Sequence, residues 1–213
     1  MLPIAWVLNL DKRPDRWVAM CEKWCDTFTL GRISAVDAKN RNLKPELCCK
    51  ATHFLLLEEL KKTPETILWF PILEDDVFKT DNWDKMWPQI QTFLNSNDAQ
   101  DWDYISFDPF LHFDAHGARS YGHGFVEIDK FRNTGMIIYS RRFIESFDYR
   151  KEETSGAIDM TFTHSPKWRK LTPNLLCVRQ EPESISDING QVNSHRQRFW
   201  DNTEKILATV NNP

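Results

Sequence analysis

The chain has 213 residues, 41% of them apolar and 27% charged, with nine tryptophans; this supports a sizeable core and excludes a disordered segment. A net charge of −4 and a pI near 5.9 exclude a protein drawn as a whole onto nucleic acid. No run reaches the roughly 20 apolar residues that span a bilayer, and Met1 to Leu10 does not read as a secretory signal, so a cytoplasmic protein is expected.

Pro3 to Leu10 (PIAWVLNL) is a short apolar run that stops at the charged segment DKRPDR, as a buried strand does on leaving a sheet. Trp17, Met20, Cys21, Trp24, Cys25 and Phe28 recur at three- and four-residue steps and predict a helix with Gly31 as its C-cap. Arg32 to Val36 reads as a second strand. Pro45 opens a leucine-rich helix through Leu60, closed by Lys61, Lys62 and Pro64. Thr66 to Leu73 (TILWFPIL) is predicted as a central strand, with Pro71 marking a bulge or a strand margin. Asp84 to Leu94 reads as helix and Trp102 to Phe107 as strand.

Strand and helix alternate through this half, which predicts an α/β fold with a mostly parallel central sheet flanked by helices on both faces. Asp108 to Gly124 carries three histidines and three glycines without a clear period and is expected to be a long loop of functional kind. Thr134 to Tyr139, a helix near Glu152 to Phe162, an apolar run at Leu175 to Val178 and a helix from about Gln191 complete a single domain over 1–213. Cys21, Cys25, Cys48, Cys49 and Cys177 lack zinc spacing, so free thiols in a reducing compartment are expected.

Ligands of open α/β sheets bind beyond the carboxyl ends of strands, and Glu74-Asp75-Asp76 occupies such an end. Three adjacent carboxylates repel one another unless a cation or donors compensate. Mg²⁺ or Mn²⁺ suits them, because these ions take oxygen ligands from one or two carboxylates plus substrate phosphates. In an extended segment residues 74 and 76 share a face. Asp76 is then the metal ligand, Glu74 shares the ion or bonds a ribose, and Asp75 orients a donor sugar; the alternative is a solvated acidic turn. Arg13 and Arg16, after Asn9-Leu10-Asp11, offer guanidinium forks that suit phosphate, with a solvated helix start as the alternative.

Seven segments then fall in order: VLNLDKRPDRW, SAVDAKN, CCKATH, ILEDDVF, TGMIIYS, AIDMTF and LTPNLLCVRQEPESISDI. Together they make the chain resemble glycosyltransferase family 25, the family of lipooligosaccharide galactosyltransferases and collagen galactosyltransferase domains. Within it the chain is especially similar to the N-terminal glycosyltransferase domains of large algal-virus proteins. The resemblance implies an A-type glycosyltransferase fold with a Rossmann-like nucleotide-sugar-binding half (1–107) and an acceptor-side half (108–213), a UDP-sugar donor, and inversion at the anomeric carbon. It places Asn9, Leu10, Arg13, Arg16 and Asp37 near the nucleotide-sugar, Glu74 to Asp76 at the diphosphate and metal, and Asp159 near the acceptor. The late pair Ser186-Asp187 would touch the diphosphate or sugar, an Asx turn being its plain alternative. Ala51-Thr52-His53, Ala38 and Gly135-Met136 depart from the family pattern and bear on the acceptor and the particular sugar.

Inverting transfer needs a base for the acceptor hydroxyl, opposite the leaving diphosphate. Asp159 is the candidate, since the apolar AIDMTF surroundings make a carboxylate a stronger base; a plain helix-start aspartate is the alternative. His53 reads as a core histidine. His164 and His195 are candidate second metal ligands without a motif behind them. Trp102, Phe107, Phe110 and His112 are candidates for stacking on sugars, the first two being better suited to the core.

The leading expectation is therefore transfer of a hexosyl or deoxyhexosyl unit from a UDP-sugar to a saccharide or glycoprotein glycan acceptor, with Mn²⁺ or Mg²⁺ and no nucleic-acid or membrane-spanning role. A metal-dependent phosphoesterase or nuclease is the second. A carbohydrate-binding module without catalysis is the third.

Overall fold

The computed structural model describes residues 2–41, 43–96, 101–111, 117–151, 156–182 and 196–211. In chain order the elements are β1 (Ile4–Asn9), α1 (Pro14–Trp24), β2 (Thr29–Ser34), α2 (Ala38–Arg41), α3 (Pro45–Leu60), β3 (Trp69–Glu74), β4 (Val77–Lys79), α4 (Trp83–Leu94) and β5 (Tyr104–Ser106). The hairpin β6 (Arg119–Gly122) and β7 (Phe125–Glu127) follows, then β8 (Met136–Ser140), α5 (Arg141–Ser146), α6 (Ile158–His164), β9 (Lys170–Pro173), β10 (Val178–Gln180) and α7 (Gln197–Asn211).

The chain is mixed α/β around an eight-stranded sheet of order β2-β1-β3-β8-β5-β9-β7-β6, while β4 and β10 form a separate ribbon. β1, β2, β3, β5, β6 and β9 run one way, and β7 and β8 run against them. The sheet is thus mostly parallel in direction, with β8 antiparallel to both its neighbours at its centre. That reversal brings the start of β8 beside the end of β3, where the Glu74 amide donates to the Gly135 carbonyl at 2.7 Å.

Strand alternation sorts the core onto two faces. Ala5, Val7, Leu73, Met136 and Ile138 pack with Met20 and Trp24 of α1 and with Trp83, Trp87 and Phe93 of α4. Leu8, Ile72, Tyr104, Ile137 and Tyr139 pack on the other face with Leu57 of α3, Phe143 of α5, Phe162 of α6 and Leu207 of α7. The tryptophans serve the first face: Trp24 meets Trp83 edge-on at 5.0 Å, and Trp83 stacks on Trp87 at 4.9 Å. Burying each such ring contributes roughly 2–3 kcal/mol.

The helix pattern that runs to Phe28 breaks at Trp24, where the amides of Thr27 and Phe28 turn back to the Trp24 carbonyl. Gly31 is not a C-cap but lies inside β2 opposite Trp6. A Cβ there would lie 2.5 Å from the Trp6 ring, so the glycine admits the indole. Pro71 makes no bulge. It pairs with Ile138 in unbroken register, and β1 joins β3 only from Ile72 onward, so proline's missing donor falls where the second neighbour is not yet paired. The segment 108–124 is not all loop, since it holds β6 in its second half. The polar strand β9 and the short helix α5, capped by Ser140 accepting from the Phe143 amide at 3.1 Å, were not anticipated.

No helix among the described residues is long and apolar enough to cross a membrane. All five cysteines are free thiols.

Candidate functional site

The carboxyl ends of β1 and β3, the start of β8 and the first turns of α3 and α6 surround one cavity of about 800 Å³. Seven of the residues singled out by sequence line it: Leu10, Arg16, Asp37, Glu74, Asp75, Asp76 and Asp159. Asn9 and Arg13 are not among the lining residues. The Asn9 amide is fully buried and engaged within the protein, donating to the Arg13 carbonyl at 2.8 Å and to Asp75 at 2.7 Å while accepting from Arg32 at 2.7 Å. Arg13 pairs with Asp15 at 2.9 Å. Ser186, Asp187, His195 and His112 lie outside the described residues, as does the side chain of His164.

The three carboxylates of the β3 end have different surroundings. Asp75 accepts from Arg16 at 2.8 Å and from Asn9. Burial still pushes its carboxyl up, against the pull of Arg16 and Asn9. Glu74 accepts from the Thr134 hydroxyl at 2.9 Å and from the Gln180 amide at 3.0 Å. Burial first, and then the charge of Asp76, raise Glu74 to about 7. Asp76 has Arg16 at 3.9 Å, and its carbonyl accepts from the Glu181 amide at 2.7 Å. Glu74 and Asp76 offer a set of oxygen donors under mutual repulsion, which is the chemistry a hard divalent ion relieves. The residues present therefore fit Mg²⁺ or Mn²⁺.

Cations ring the carboxylates. Lys12, Arg16, Lys39, Arg132 and Arg196 all reach the cavity, and Arg196 donates to Gln180, which in turn bonds Glu74. Asp37 pairs with Lys12 at 3.1 Å, and that pairing holds its carboxyl below the usual range. Phe110 stacks on Phe199 at 5.1 Å and both line the cavity, whereas Trp102 and Phe107 are buried in the core.

Asp159 sits in the first turn of α6, half-buried rather than enclosed by apolar groups. It accepts from the amides of Met160 at 2.8 Å and Asn133 at 3.3 Å. Asn133 has a left-handed φ of 79°, a conformation asparagine tolerates better than most residues. Its side chain is pinned by the buried Asp108 carboxylate at 2.6 Å. Asp108 also accepts from the Met136 amide at 3.1 Å, and burial raises its carboxyl well above the usual range. Gly135 admits this carboxylate, since a Cβ there would lie 2.2 Å from Asp108 Oδ2.

Asp108, Asn133, Thr134, Gln180 and Arg196 were missed by sequence reasoning. Asp108 carried a signal, because it directly follows a predicted strand at its carboxyl end. Thr134 and Gln180 lie inside family-like segments but have no chemical signature of their own. Arg196 has none at all. Thr52 lines the cavity, and its hydroxyl donates to the Cys48 carbonyl at 2.8 Å and accepts from the Val36 amide at 2.9 Å, tying the exit of β2 to α3.

No protein-family model and no curated protein matches the chain. Among solved structures, protein A197 from STIV is 12% identical with a TM-score of 0.45, covering 81% of each chain. A glycosyltransferase involved in the glycosylation of the major capsid of PBCV-1 is 14% identical with a TM-score of 0.38, covering 68% of this chain and 62% of that one. Mouse xyloside xylosyltransferase 1 is 10% identical with a TM-score of 0.34, covering 67% of this chain and 55% of that one. Glycosyltransferases are thus among the structural neighbours, and at TM-scores below 0.5 the likeness carries no weight for the reaction.

Proposed function

We propose that the chain is a metal-dependent, inverting glycosyltransferase that moves a hexosyl or deoxyhexosyl unit from a UDP-sugar to a saccharide acceptor on a glycan or glycoprotein. The observation that carries this reading is the meeting, in one cavity of about 800 Å³, of Glu74, Asp75 and Asp76 with Arg16 and Arg196 and with Asp159. Its volume is within the range of nucleotide-sized sites. Carboxylates and guanidinium groups side by side suit a ligand that is both anionic and metal-bound, as a nucleoside diphosphate is.

An Mn²⁺ or Mg²⁺ ion held by Asp76, with Glu74 sharing it, would neutralise charge on the leaving diphosphate. Arg16 presents its guanidinium to the phosphates from the same wall. Asp75, held by Arg16 and Asn9, orients the donor sugar. Leu10 and Asp37 flank the nucleotide side, and Ser186, Asp187 and His195 are assigned to the diphosphate side on resemblance alone. Asp159 takes the acceptor hydroxyl's proton as that oxygen attacks the anomeric carbon from the face opposite the diphosphate, which inverts its configuration. The stacked Phe110 and Phe199 give a sugar ring an apolar surface.

Calorimetry with UDP and Mn²⁺, followed by UDP release from a panel of UDP-sugars, tests the proposal. Metal-dependent UDP binding is expected, weakened roughly 100-fold or more in Asp76→Ala. Phosphodiester cleavage without nucleotide binding would replace transfer by metal-dependent hydrolysis. Saccharide binding without either activity would leave only a binding module.

A further inference from the structure

We propose that Cys49, His53 and Glu74 form a binding site for a borderline-soft divalent cation of the zinc type, adjoining the oxygen-donor position at Asp76 and sharing Glu74 with it. Cys49 and His53 stand one turn apart on α3, and residues at that spacing share a helix face. Glu74 reaches them from the end of β3. One ligand atom from each of the three lies within 4.8 Å of the others. Bonds of about 2.0 Å to nitrogen or oxygen and 2.3 Å to sulfur set tetrahedral ligand atoms roughly 3.5 Å apart. On binding, the ligand atoms draw together by up to about 1.3 Å.

An independent observation points to a ligand. His53 is 0% exposed, and neither ring nitrogen has a hydrogen-bond partner among the described residues. Buried polar side chains are paired in the large majority of cases, and a cation among Cys49, His53 and Glu74 supplies the missing partner. Burial keeps the imidazole neutral, its pKa lowered to about 3, so its lone pair is available across the ordinary pH range. Charge also balances: a dication, a thiolate, a carboxylate and a neutral imidazole sum to zero, which suits an enclosed position. On binding, the Cys49 thiol proton leaves to solvent, together with the Glu74 proton where it is held, and nothing is oxidised or reduced.

The donor set decides the metal. Sulfur and imidazole favour zinc over magnesium or manganese, whereas the carboxylate at Asp76 suits the harder ions. Sequence spacing gave no hint, because the set contains one cysteine and draws its third ligand from another element. Cys49 and Glu74 line the cavity, so a fourth ligand, water or a substrate group, has access from that side. The site does not depend on the transfer reaction.

Co²⁺ is the probe. The full chain, freed of metal with a chelator, is titrated with Co²⁺ while the near-ultraviolet thiolate-to-cobalt charge-transfer band and the visible d–d bands are read. One thiolate-ligated Co²⁺ per chain is expected, displaced by stoichiometric Zn²⁺. The band should vanish in Cys49→Ser, need about tenfold more Co²⁺ in His53→Gln, and persist in Cys48→Ser and Asp76→Asn. A wild-type chain without the band overturns the proposal whether or not the variants fold, and so does a band that survives Cys49→Ser. Mn²⁺-dependent UDP binding is measured on the same samples. A wild-type chain that shows the cobalt band but binds no UDP with Mn²⁺ defeats the glycosyltransferase reading alone.

Discussion

The two walls of the cavity hold their carboxylates by different physics. Under β1 and β3, Asp75 is fixed by charge, with Arg16 at 2.8 Å on one oxygen and the Asn9 amide at 2.7 Å on the other. At the start of α6, Asp159 is held by two backbone amides, those of Met160 and Asn133. The guanidinium and the amide stabilise the Asp75 carboxylate against the burial that raises it. Backbone donors fix the direction in which a carboxylate points. The first arrangement anchors a carboxylate through other side chains, the second through the backbone of its own helix start and of the Asn133 turn.

The comparison breaks most sharply at Asp159. Asn at this position keeps the shape and loses the basicity, so Asp159→Asn should slow transfer about 10²- to 10⁴-fold. Calorimetric UDP binding should stay unchanged, because in the proposed mechanism Asp159 serves the acceptor and not the nucleotide. Single-turnover UDP release with saturating acceptor is the measurement, and unaltered turnover would remove Asp159 from the chemistry.

On the charged wall the largest effect is on stability. Arg16 and Asp75 are each about nine-tenths buried, at 10% and 9% side-chain exposure. Arg16→Ala leaves the carboxylate enclosed without its guanidinium, which should cost roughly 3–5 kcal/mol in urea unfolding at pH 7. The double variant Arg16→Ala, Asp75→Ala should recover most of that loss. The exposed pair Lys62–Glu59, 2.6 Å apart, is the control, since removing Lys62 should cost less than about 0.5 kcal/mol.

Glu74 sharpens the contrast through pH. In the folded, metal-free chain it holds a proton to about 7, against 4.5 for an ordinary glutamate, so between those values the folded state binds more protons than the unfolded one. The stability this confers is complete below about pH 4.5 and is lost as pH rises through about 7, on the order of 2–3 kcal/mol. Urea unfolding of the wild type should therefore show this decline with rising pH relative to Glu74→Gln. Parallel curves for the two proteins would place the proton elsewhere.

Legibility in the sequence follows the same division. Apolar alternation in PIAWVLNL and the period of Trp17, Met20 and Trp24 expose β1 and α1, because burial on a strand or helix leaves a local pattern. Glu74-Asp75-Asp76 and Arg16 are legible because charge at a strand end is unusual in itself. The reversed strand β8 was not, since a buried central strand reads the same in either direction. Gly31 misled because a glycine after a helix pattern suggests a cap, while its actual role is to admit the Trp6 ring from another strand. Asp159 was singled out by the resemblance and Asp108 by its place after a strand, but their link through Asn133 is made by hydrogen bonds across the fold, so no spacing announces it.

Asn133 is where the backbone-held wall is most open to a small, directional test. Its φ of 79° suits asparagine or glycine, its side chain bonds Asp108 at 2.6 Å, and its own amide reaches Asp159 at 3.3 Å. Asn133→Gly removes the side chain but keeps the left-handed backbone within easy reach; Asn133→Ala removes the side chain and opposes the backbone as well. Both leave the buried Asp108 short of a donor and should cost about 1–2 kcal/mol of stability. If the Asn133 amide aims Asp159, transfer should fall roughly threefold in the glycine variant and about tenfold in the alanine variant, with the KM for the donor unchanged in both. Equal losses in kcat would mean that the Asp108 bond positions Asp159. A rise in donor KM alone would tie Asn133 to the charged wall instead.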